Sequence, residues 1–254
     1  MPRCLLIAEL ATNHGGDLSL AKSMIDAAVQ YGADIVKTQG YQIRHLSKLD
    51  QQYAWFQQAE LSDDAHKMLK DYAEDQGVRY LSTGYTVSDL YRLSRLGLDA
   101  VKIGSGEGLS LWPAARLLFR TAYLSLPWGM EAEGAESPES TAHCTCHVMA
   151  AVPLYPAPAE AWSRVEQRAG YSDHHVGMTV AHIAIANGAS ILEKHFHLPG
   201  RGRNQAWNMD PDDLATLRQW ADAVHQATAG TAYEGRWKDA GGTNDRQRPS
   251  ERDV

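Results

Sequence analysis

The sequence predicts a TIM barrel, a closed ring of eight parallel strands with a helix after each strand. Eight short apolar segments alternate with eight helical segments, which is the pattern of repeated βα units. The length of 254 residues suits such a barrel. Polar side chains also collect where the apolar segments end, and barrel active sites lie at those ends. A doubly wound open sheet is the alternative, but no glycine fingerprint follows the first strand.

Each predicted strand is a short apolar run that turns polar at its carboxyl end. The first run ends beside Glu9, the second in Lys37 and Gln39, and the fourth leads into the glycine-containing segment 104–107. The strands are predicted at 4–10, 33–39, 79–83, 98–103, 122–126 and 148–152, and the last two end in 170–174 and 193–196. We expect these polar ends to meet at one face of the barrel.

Capping residues and apolar stripes predict the helices. Asp17 caps the first helix, which Gly32 stops, and Ser62 caps the next one. Asp210 and Pro211 form an N-cap and first-turn pair for the last helix. The stripe of the second helix comprises Ala65, Met68, Leu69 and Tyr72. Further helices are predicted at 88–96, 111–120, 160–168 and 176–186, with a short or irregular helix within 131–146.

Two segments stand apart from the βα pattern. Residues 40–60 are predicted to be a long polar loop with aromatic residues, and loops of that length in compact domains tend to be functional. The chain becomes rich in Gly, Arg and Asp near its end. We therefore assign residues 1–230 to the barrel and expect a flexible tail at 231–254.

The composition excludes several classes of protein. Hydrophobic residues make up 44% and charged residues 22%, as in ordinary soluble domains, and the net charge of −7 argues against a nucleic-acid-binding surface. No apolar run is long enough to span a bilayer, and the first residues do not resemble a signal peptide. Cys4, Cys144 and Cys146 are too few and too irregular for a disulfide framework. A cytoplasmic enzyme is the expectation.

Two strand ends carry the residues of a predicted metal site. Side chains two apart in a strand share a face, so Ser172 projects with His174, and Glu193 projects with His195. If the two strands are neighbours, their histidines converge beside a hydroxyl and a carboxylate. Such a pair predicts a divalent-metal site with open coordination positions, although a lone strand-end histidine is more often structural.

Other strand ends carry groups suited to an anionic substrate. Lys37 and Lys102 each follow an apolar strand, where a lysine commonly anchors a phosphate or carboxylate or forms a Schiff base. The segment 104–106 could bring backbone N–H groups and the Ser105 hydroxyl close to an anion. Glu9 and Glu107 are then candidates for proton transfer. The remaining strand-end groups are Gln39, Thr83 and Tyr155.

Several motifs together resemble the sialic acid synthase family, in order and with similar spacing from about residue 4 to 228. They are Glu-Leu-Ala-Thr-Asn-His-Gly-Gly at 9–16, Val-Lys-Thr-Gln at 36–39, Glu-Leu-Ser at 60–62, Leu-Ser-Thr at 81–83, Lys-Ile-Gly-Ser-Gly-Glu at 102–107, Tyr-Pro-Ala-Pro at 155–158, Gly-Tyr-Ser-Asp-His at 170–174 and Glu-Lys-His-Phe at 193–196. The resemblance implies a TIM barrel that condenses phosphoenolpyruvate with an N-acetyl-hexosamine such as N-acetylmannosamine. It also implies a divalent metal, Mn²⁺ before Mg²⁺ or Co²⁺.

The resemblance also implies roles for the matching residues. His174 and His195 would hold the metal, and Glu9 and Glu107 would face the reacting centre with Lys102. Tyr155 would lie beside the acceptor sugar. The residues that would hold phosphoenolpyruvate are Lys37, Thr83, Lys102, Ser105 and Ser172, with Gln39 as a further substrate-binding residue.

The sequence departs from the family mainly in the acceptor half. Members show Ser-Thr-Gly-Met after the fifth strand, where this chain has Leu-Pro-Trp-Gly-Met at 126–130, so Pro127 replaces the serine unless Ser125 substitutes for it. Pro153 falls in a stretch, 150–153, that replaces a polar family motif, and Asn204 aligns with the family's acceptor-binding aspartate. The loop residues Arg201, Arg203 and Trp207 could form a different acceptor pocket.

We expect this chain to lack the family's antifreeze-like C-terminal domain. In the bacterial enzymes that domain contributes an arginine to the partner subunit's acceptor site, so a homodimer of this chain would need another interface.

Three functions remain open from the sequence. The first is an aldol-type synthase that uses phosphoenolpyruvate and a sugar. The second is a non-catalytic descendant that binds a ligand or a protein, which Pro127, Pro153 and Asn204 favour. The third is another metal-assisted barrel enzyme, such as a lyase or aldolase acting on a phosphorylated acid, because one fold hosts many functions.

Overall fold

Eight parallel strands close into a barrel, so the predicted TIM barrel is confirmed. The computed structural model describes residues 1–127, 139–164 and 169–229. Each strand pairs with the next one along the chain, and the last strand returns to pair with the first. The strands are β1 (Leu5–Ala11), β2 (Ile35–Gln39), β3 (Arg79–Gly84), β4 (Ala100–Ile103), β5 (Thr121–Pro127), β6 (Thr145–Ala151), β7 (Gly170–Asp173) and β8 (Ile191–His195).

The α-helices surround the barrel, apart from a short one within the loop after β2. They are α1 (Leu18–Gln30), α2 (Tyr53–Ala59), α3 (Asp63–Asp75), α4 (Val87–Arg95), α5 (Trp112–Leu118), α6 (Thr179–Ala186) and α7 (Pro211–Thr228). Short 3₁₀ helices lie at Ile43–His45, Gly108–Ser110 and Ala159–Arg164. No helix in the described ranges is long and apolar enough to cross a membrane.

Local chemistry explains where the helices begin. The side chains of Asp17 and Ser62 accept hydrogen bonds from backbone N–H groups in the first turns of α1 and α3, as predicted. Asp210 caps α7 in a reciprocal capping box with Asp213, and Pro211 occupies the first turn, where a missing N–H costs little. These caps end the loops that carry the site and fix where each helix starts.

Two apolar cores lie on either side of the strand wall. A larger core packs the outward faces of the strands against the helices. A smaller core fills the lower barrel and consists of Ile7, Ile35, Leu81, Tyr123, Met149 and Ile191. Because that inner layer closes the floor, polar side chains at the carboxyl ends of the strands face a cup rather than a pore.

Several elements differ from the sequence prediction. The sixth strand begins at Thr145, three residues before the predicted start. Where a helix was predicted at 160–168, the structure has a 3₁₀ helix at Ala159–Arg164. The predicted loop 40–60 contains α2. Met68 was predicted to lie on the buried face of α3 but is 42% exposed. The buried face also includes His66 and Ala73, which the prediction left out. Residues 131–138 of the predicted irregular helix and the tail at 231–254 lie outside the described residues, whereas residues 139–146 form no helix and lead into β6 at Thr145.

Candidate active site

A cavity of about 240 Å³ opens at the carboxyl ends of the strands, and all eight strands contribute to its wall. Asn204 is exposed on the loop after β8 and does not line it, so its acceptor role stays a prediction. The other eleven residues proposed from the sequence do line the cavity: Glu9, Lys37, Gln39, Thr83, Lys102, Ser105, Glu107, Tyr155, Ser172, His174 and His195.

Strand register decides which side chains meet in the cavity. Glu9 pairs with Lys37 across β1 and β2, and Ser172 pairs with Glu193 across β7 and β8. Residues at paired positions point to the same side of a sheet. Each pair therefore places two polar groups side by side on the inner face.

A bulge at the end of β1 directs Glu9 into the cavity. The register with β2 shifts between Glu9 and Ala11, and Ala11 has a left-handed backbone with φ of 48°. The N–H of Ala11 donates a hydrogen bond of 2.6 Å to Glu9 Oε1. A left-handed conformation is unfavourable for a residue with a Cβ, so local strain accompanies the placement of this carboxylate.

Glu193 lies at the centre of a buried charged cluster. Its Oε1 accepts a hydrogen bond of 3.0 Å from Ser172 Oγ and lies 3.7 Å from the Nζ atoms of both Lys37 and Lys102. Burial raises the pKa of Glu193, but the charges of Lys102 and Lys37 outweigh burial and hold the pKa below its usual range. Glu193 Oε2 is buried without a hydrogen-bond partner in the described part of the chain, so it is available to a ligand.

The pKa of Lys37 lies close to neutral pH. Its ammonium contacts Glu9 and donates a hydrogen bond of 2.8 Å to Thr83 Oγ1. Burial lowers the pKa of Lys37 to about 7; the charge of Glu193 opposes the shift and that of Lys102 adds to it. An anionic ligand would raise this pKa again and would bind the charged form.

The loop after β4 brings a second carboxylate to the cavity. A Cβ on Gly104 would lie 2.6 Å from Glu107 Oε2, so only glycine permits this carboxylate to lie so close to the backbone. Burial raises the pKa of Glu107, and the charge of Lys102 offsets part of that rise. Ser105 lines the same edge. The loop therefore combines a hydroxyl with a carboxyl group that holds its proton more tightly than usual.

His174 and His195 lie opposite each other, with ring centroids 5.8 Å apart. Burial lowers the pKa of both, that of His174 to about 4, so both rings are neutral at pH 7. The Val152 carbonyl accepts a hydrogen bond of 2.9 Å from His174 Nδ1, which leaves the lone pair on Nε2. His195 Nδ1 is buried without a partner in the described chain.

These two rings fit a bound divalent metal. Neutral imidazoles are good ligands, and the hydrogen bond from His174 to the Val152 carbonyl is the kind of outer-shell contact that orients such ligands. No group of three or more His, Cys, Asp or Glu side chains within the described ranges is arranged to hold a metal. Substrate or water oxygens would therefore have to complete the coordination.

Two aromatic rings lie beside the histidines, and of these Tyr155 lines the cavity whereas Trp207 does not. The Tyr155 ring lies 4.0 Å from the His174 ring between centroids, and the Trp207 ring lies 5.6 Å from Tyr155 and 6.4 Å from His195. Tyr155 remains 52% exposed, whereas Trp207 Nε1 is buried without a partner in the described chain. Tyr155 therefore offers an apolar ring face to a ligand that enters from the mouth.

Strands β5 and β6 contribute few polar groups. Ser125 lines the cavity, and its buried Oγ has no partner within the described ranges, whereas Pro127 is not among the lining residues. Ala151 and Pro153 also line the cavity and offer no side-chain hydrogen bond. This wall is therefore polar only at Ser125.

The loop arginines do not enter the cavity. Arg203 lies over the Trp55 ring at 5.2 Å and donates a hydrogen bond of 2.7 Å to Gln52 Oε1. Trp55 Nε1 in turn donates to Thr12 Oγ1 at 3.0 Å. Arg203 thus joins the loops after β2 and β8 across the mouth, and Arg201 is exposed.

The sequence assigned no substrate-binding or catalytic role to Glu193 or Tyr85, which both line the cavity. Glu193 was placed beside His195, but its contacts with both lysines depend on strands far apart in the chain. Tyr85 follows Thr83 by two residues and also lines the cavity. The same two-residue spacing that identified the histidine strands would have found Tyr85.

Several known proteins are similar to this chain in sequence. A sequence model of the NeuB family matches residues 24–233. The N,N'-diacetyllegionaminic acid synthase of Campylobacter jejuni is 31% identical over 260 residues, which cover 85% of this chain and 75% of that protein. The N-acetylneuraminate-9-phosphate synthase of Mus musculus is 26% identical over 254 residues, which cover 88% of this chain and 71% of that protein.

Solved structures share the fold. An N-acetylneuraminic acid synthetase from Leptospira borgpetersenii, crystallised with citrate, superposes with a TM-score of 0.81 at 24% identity, over 97% of this chain and 94% of that one. A truncated 3-deoxy-D-arabino-heptulosonate 7-phosphate synthase from Thermotoga maritima superposes with a TM-score of 0.63 at 13% identity, over 88% of this chain and 87% of that one. At these identities the likeness concerns the barrel alone.

Proposed function

The chain belongs to the NeuB family, and from this premise we propose that it is a synthase that condenses phosphoenolpyruvate with the aldehyde form of an aldose or amino sugar. The product would be a sialic-acid-like 2-keto-3-deoxy sugar acid, with phosphate released. One observation carries the proposal: two buried lysines, three carboxylates and two neutral imidazoles face a single cavity. That set can bind a dianionic donor and exchange protons beside it.

The donor would bind on the side of β2 to β5. Lys37 and Lys102 supply positive charge, and the Ser105 and Thr83 hydroxyls supply hydrogen bonds. Glu193 holds the two lysines together in the free protein. Gln39, Ser125 and Ser172 are further polar groups on the wall that an anion could contact.

The acceptor would bind nearer the mouth. Tyr155 presents a half-exposed ring directly over His174, which suits the apolar C–H face of a sugar. Carbon 3 of phosphoenolpyruvate would attack the aldehyde carbon, and water would add at carbon 2. The bond between carbon 2 and the phosphate oxygen would then break, and phosphate would leave. The aldehyde oxygen takes one proton, water loses one as it adds, and the resulting hydroxyl at carbon 2 loses another to the departing phosphate as the ketone forms, so the reaction needs a proton donor and a base.

Glu9, Glu107 and Lys102 are the groups placed for those proton transfers. The pKa of Glu107 is raised by burial, so this carboxyl group is the better proton donor. Glu9 contacts the Lys37 ammonium and accepts a hydrogen bond from the Ala11 N–H, which hold its carboxylate in the cavity as the candidate base. Lys102 would stabilise the negative charge of the phosphate group as it leaves.

His174 and His195 would hold a divalent metal, Mn²⁺ in the first instance. The bound ion would polarise the acceptor carbonyl and make its carbon electrophilic. The chain's own contribution is to keep both imidazoles neutral through burial and to fix the His174 ring through the Val152 carbonyl.

A non-catalytic barrel that binds the same anion is the second candidate. Ala151 and Pro153 line the cavity, so β6 supplies no side-chain hydrogen bond to a reacting group. Such a protein would bind phosphoenolpyruvate without releasing phosphate, whatever aldose is present.

A thermal-shift titration tests the donor and metal together, first with phosphoenolpyruvate alone, then with Mn²⁺, then with chelator. Binding raises the free energy of unfolding by about 2.7 kcal/mol at a hundredfold excess of ligand over Kd. A shift that Mn²⁺ enlarges supports the proposal, and phosphate release with an aldose panel then separates synthase from binding protein. No shift at millimolar ligand would refute the donor site.

Variants at the metal site complete the test. His174→Ala should abolish the Mn²⁺-dependent part of the shift and the turnover. His182→Ala, on the outer helix α6 against Trp220, is the matched control. Turnover that survives His174→Ala would refute the metal role.

A further inference from the structure

Asp173, His175 and Lys194 form a buried polar cluster, the outer cluster, behind the two histidines of the cavity. They alternate along the chain with Ser172, His174, Glu193 and His195, so they point away from the cavity. All three side chains are at most 1% exposed. None of them has a role in the proposed reaction.

The outer cluster joins β7 to β8 where the strand pairing ends. Asp173 and Lys194 are directly opposite each other, and they are the last pair in the register of these strands. Lys194 Nζ donates a hydrogen bond of 2.8 Å to Asp173 Oδ2 and another of 2.7 Å to the His175 carbonyl. The second bond reaches beyond the ladder and ties β8 to the residue that follows His174.

Asp173 also fixes the backbone around His174. Its Oδ1 accepts hydrogen bonds from the His175 backbone N–H at 2.9 Å and from His175 Nδ1 at 2.8 Å. A carboxylate that accepts from the N–H two residues later closes a local turn, and His174 is the middle residue of this one. The β6 side of His174 is held by Val152 and by the N–H of Ala157, which donates to the His174 carbonyl at 2.9 Å.

Packing alone does not require a charged cluster at this place. A buried ion pair costs desolvation, and apolar residues of similar volume are often equally stabilising. What an ion pair with fixed hydrogen bonds adds is a defined separation between the two elements. The separation that this one defines is between His174 and His195.

We infer that the outer cluster is a positioning device that sets the distance and orientation of His174 relative to His195, and thereby the affinity of the cavity for a divalent metal. The inference rests on the metal site of the proposed function. Outer-shell partners of metal ligands typically contribute about 10- to 100-fold in affinity. Removal of the cluster is expected to weaken Mn²⁺ binding by that factor.

The test measures Mn²⁺ affinity by the loss of the free-ion EPR signal, and the melting temperature in parallel. The variants are Asp173→Asn, which preserves volume, Lys194→Met, and the double variant, which removes both charges together. Arg218→Met is the control, because Arg218 is buried against Asp34 and Asp222 at the opposite end of the barrel. If Lys194→Met does not fold, Asp173→Asn still decides the question.

Weaker Mn²⁺ binding in Asp173→Asn, with unchanged affinity in an equally destabilised Arg218→Met, supports the positioning role. If Asp173→Asn binds Mn²⁺ with wild-type affinity, whatever its melting temperature, the cluster contributes only to stability and the positioning role is refuted. A wild-type protein that binds no Mn²⁺ would instead refute the metal site itself and this inference with it. The wild-type titration alone distinguishes that outcome from failure of the positioning role.

Discussion

Ser172 Oγ donates a hydrogen bond of 3.0 Å to the same Glu193 oxygen that lies between the Lys37 and Lys102 ammonium groups. One carboxylate therefore lies close to two buried lysines while a hydroxyl from the neighbouring strand orients it. An anionic substrate that reaches these lysines has to share them with Glu193.

Glu193→Gln should lower the free energy of unfolding by about 3 kcal/mol, because it removes the carboxylate beside the buried Lys102 ammonium and leaves Lys37 with Glu9 alone. Phosphate should restore part of this loss. Chemical denaturation with and without phosphate measures both effects. Glu107→Gln, in the same cavity but without an ion pair at this distance, should change stability by under about 0.5 kcal/mol. Equal stability of Glu193→Gln and wild type would show that the lysines are neutral in the free protein.

Tyr155→Ala should raise the KM for the acceptor sugar about tenfold and leave phosphoenolpyruvate binding unchanged, because the ring faces the mouth over His174. Tyr155→Phe retains the ring and should stay within about threefold of the wild type. Steady-state phosphate release at varied acceptor concentration separates the two variants. An equal effect of both substitutions would assign the role to the hydroxyl group instead.

Ala11→Gly should raise the free energy of unfolding by about 1 kcal/mol, because glycine adopts the left-handed backbone of this position without a Cβ penalty. Ala8 lies in the same strand with a fully buried side chain, so Ala8→Gly should lower the free energy of unfolding by a similar amount. Urea denaturation of both variants gives the comparison. A loss at both positions would mean that the buried methyl group of Ala11 outweighs its strain.

His66 should make the fold sensitive to acid. Burial lowers its pKa to about 3, with the charge of Arg92 adding to the shift, so the folded protein keeps this ring neutral. An unfolded chain binds a proton there near pH 6.5, so stability is complete above that pH and falls as the pH drops towards 3. At pH 5 the loss from this residue is about 2 kcal/mol.

His66→Gln should therefore flatten the decline in unfolding free energy between pH 7 and pH 5, whatever its stability at pH 7. His182→Gln, on the outer helix α6, should retain the wild-type slope. Urea titrations at several pH values supply the slopes. An unchanged slope in His66→Gln would place the proton uptake at other histidines.

The fold followed from periodicity because each strand is buried on both sides and reads as a short apolar run. The sixth strand was predicted too late, since Thr145 and His147 at its start are not apolar. The helix α2 was missed for a related reason. It has seven residues, one of them buried, and no side-chain cap, so it lacks both the stripe and the cap that mark a helix.

The site followed from a rule of position, since functional groups in a barrel collect at strand ends. Register alone could not show that Glu193 reaches Lys37 and Lys102, because those contacts cross the barrel. The attachment of Arg203 to the loop after β2 depends likewise on how two long loops fold. Asn204 remains a prediction from the family pattern.

The alternation along β7 and β8 makes this part of the chain intolerant of insertions and deletions. A one-residue slip in β7 would turn Asp173 into the cavity and Ser172 out of it, since a shift of one reverses every side chain of a strand. Loops above the mouth carry no such constraint and accept changes of length. To change the acceptor preference, an engineer would exchange the loops after β2 and β8 and leave strands β7 and β8 unchanged.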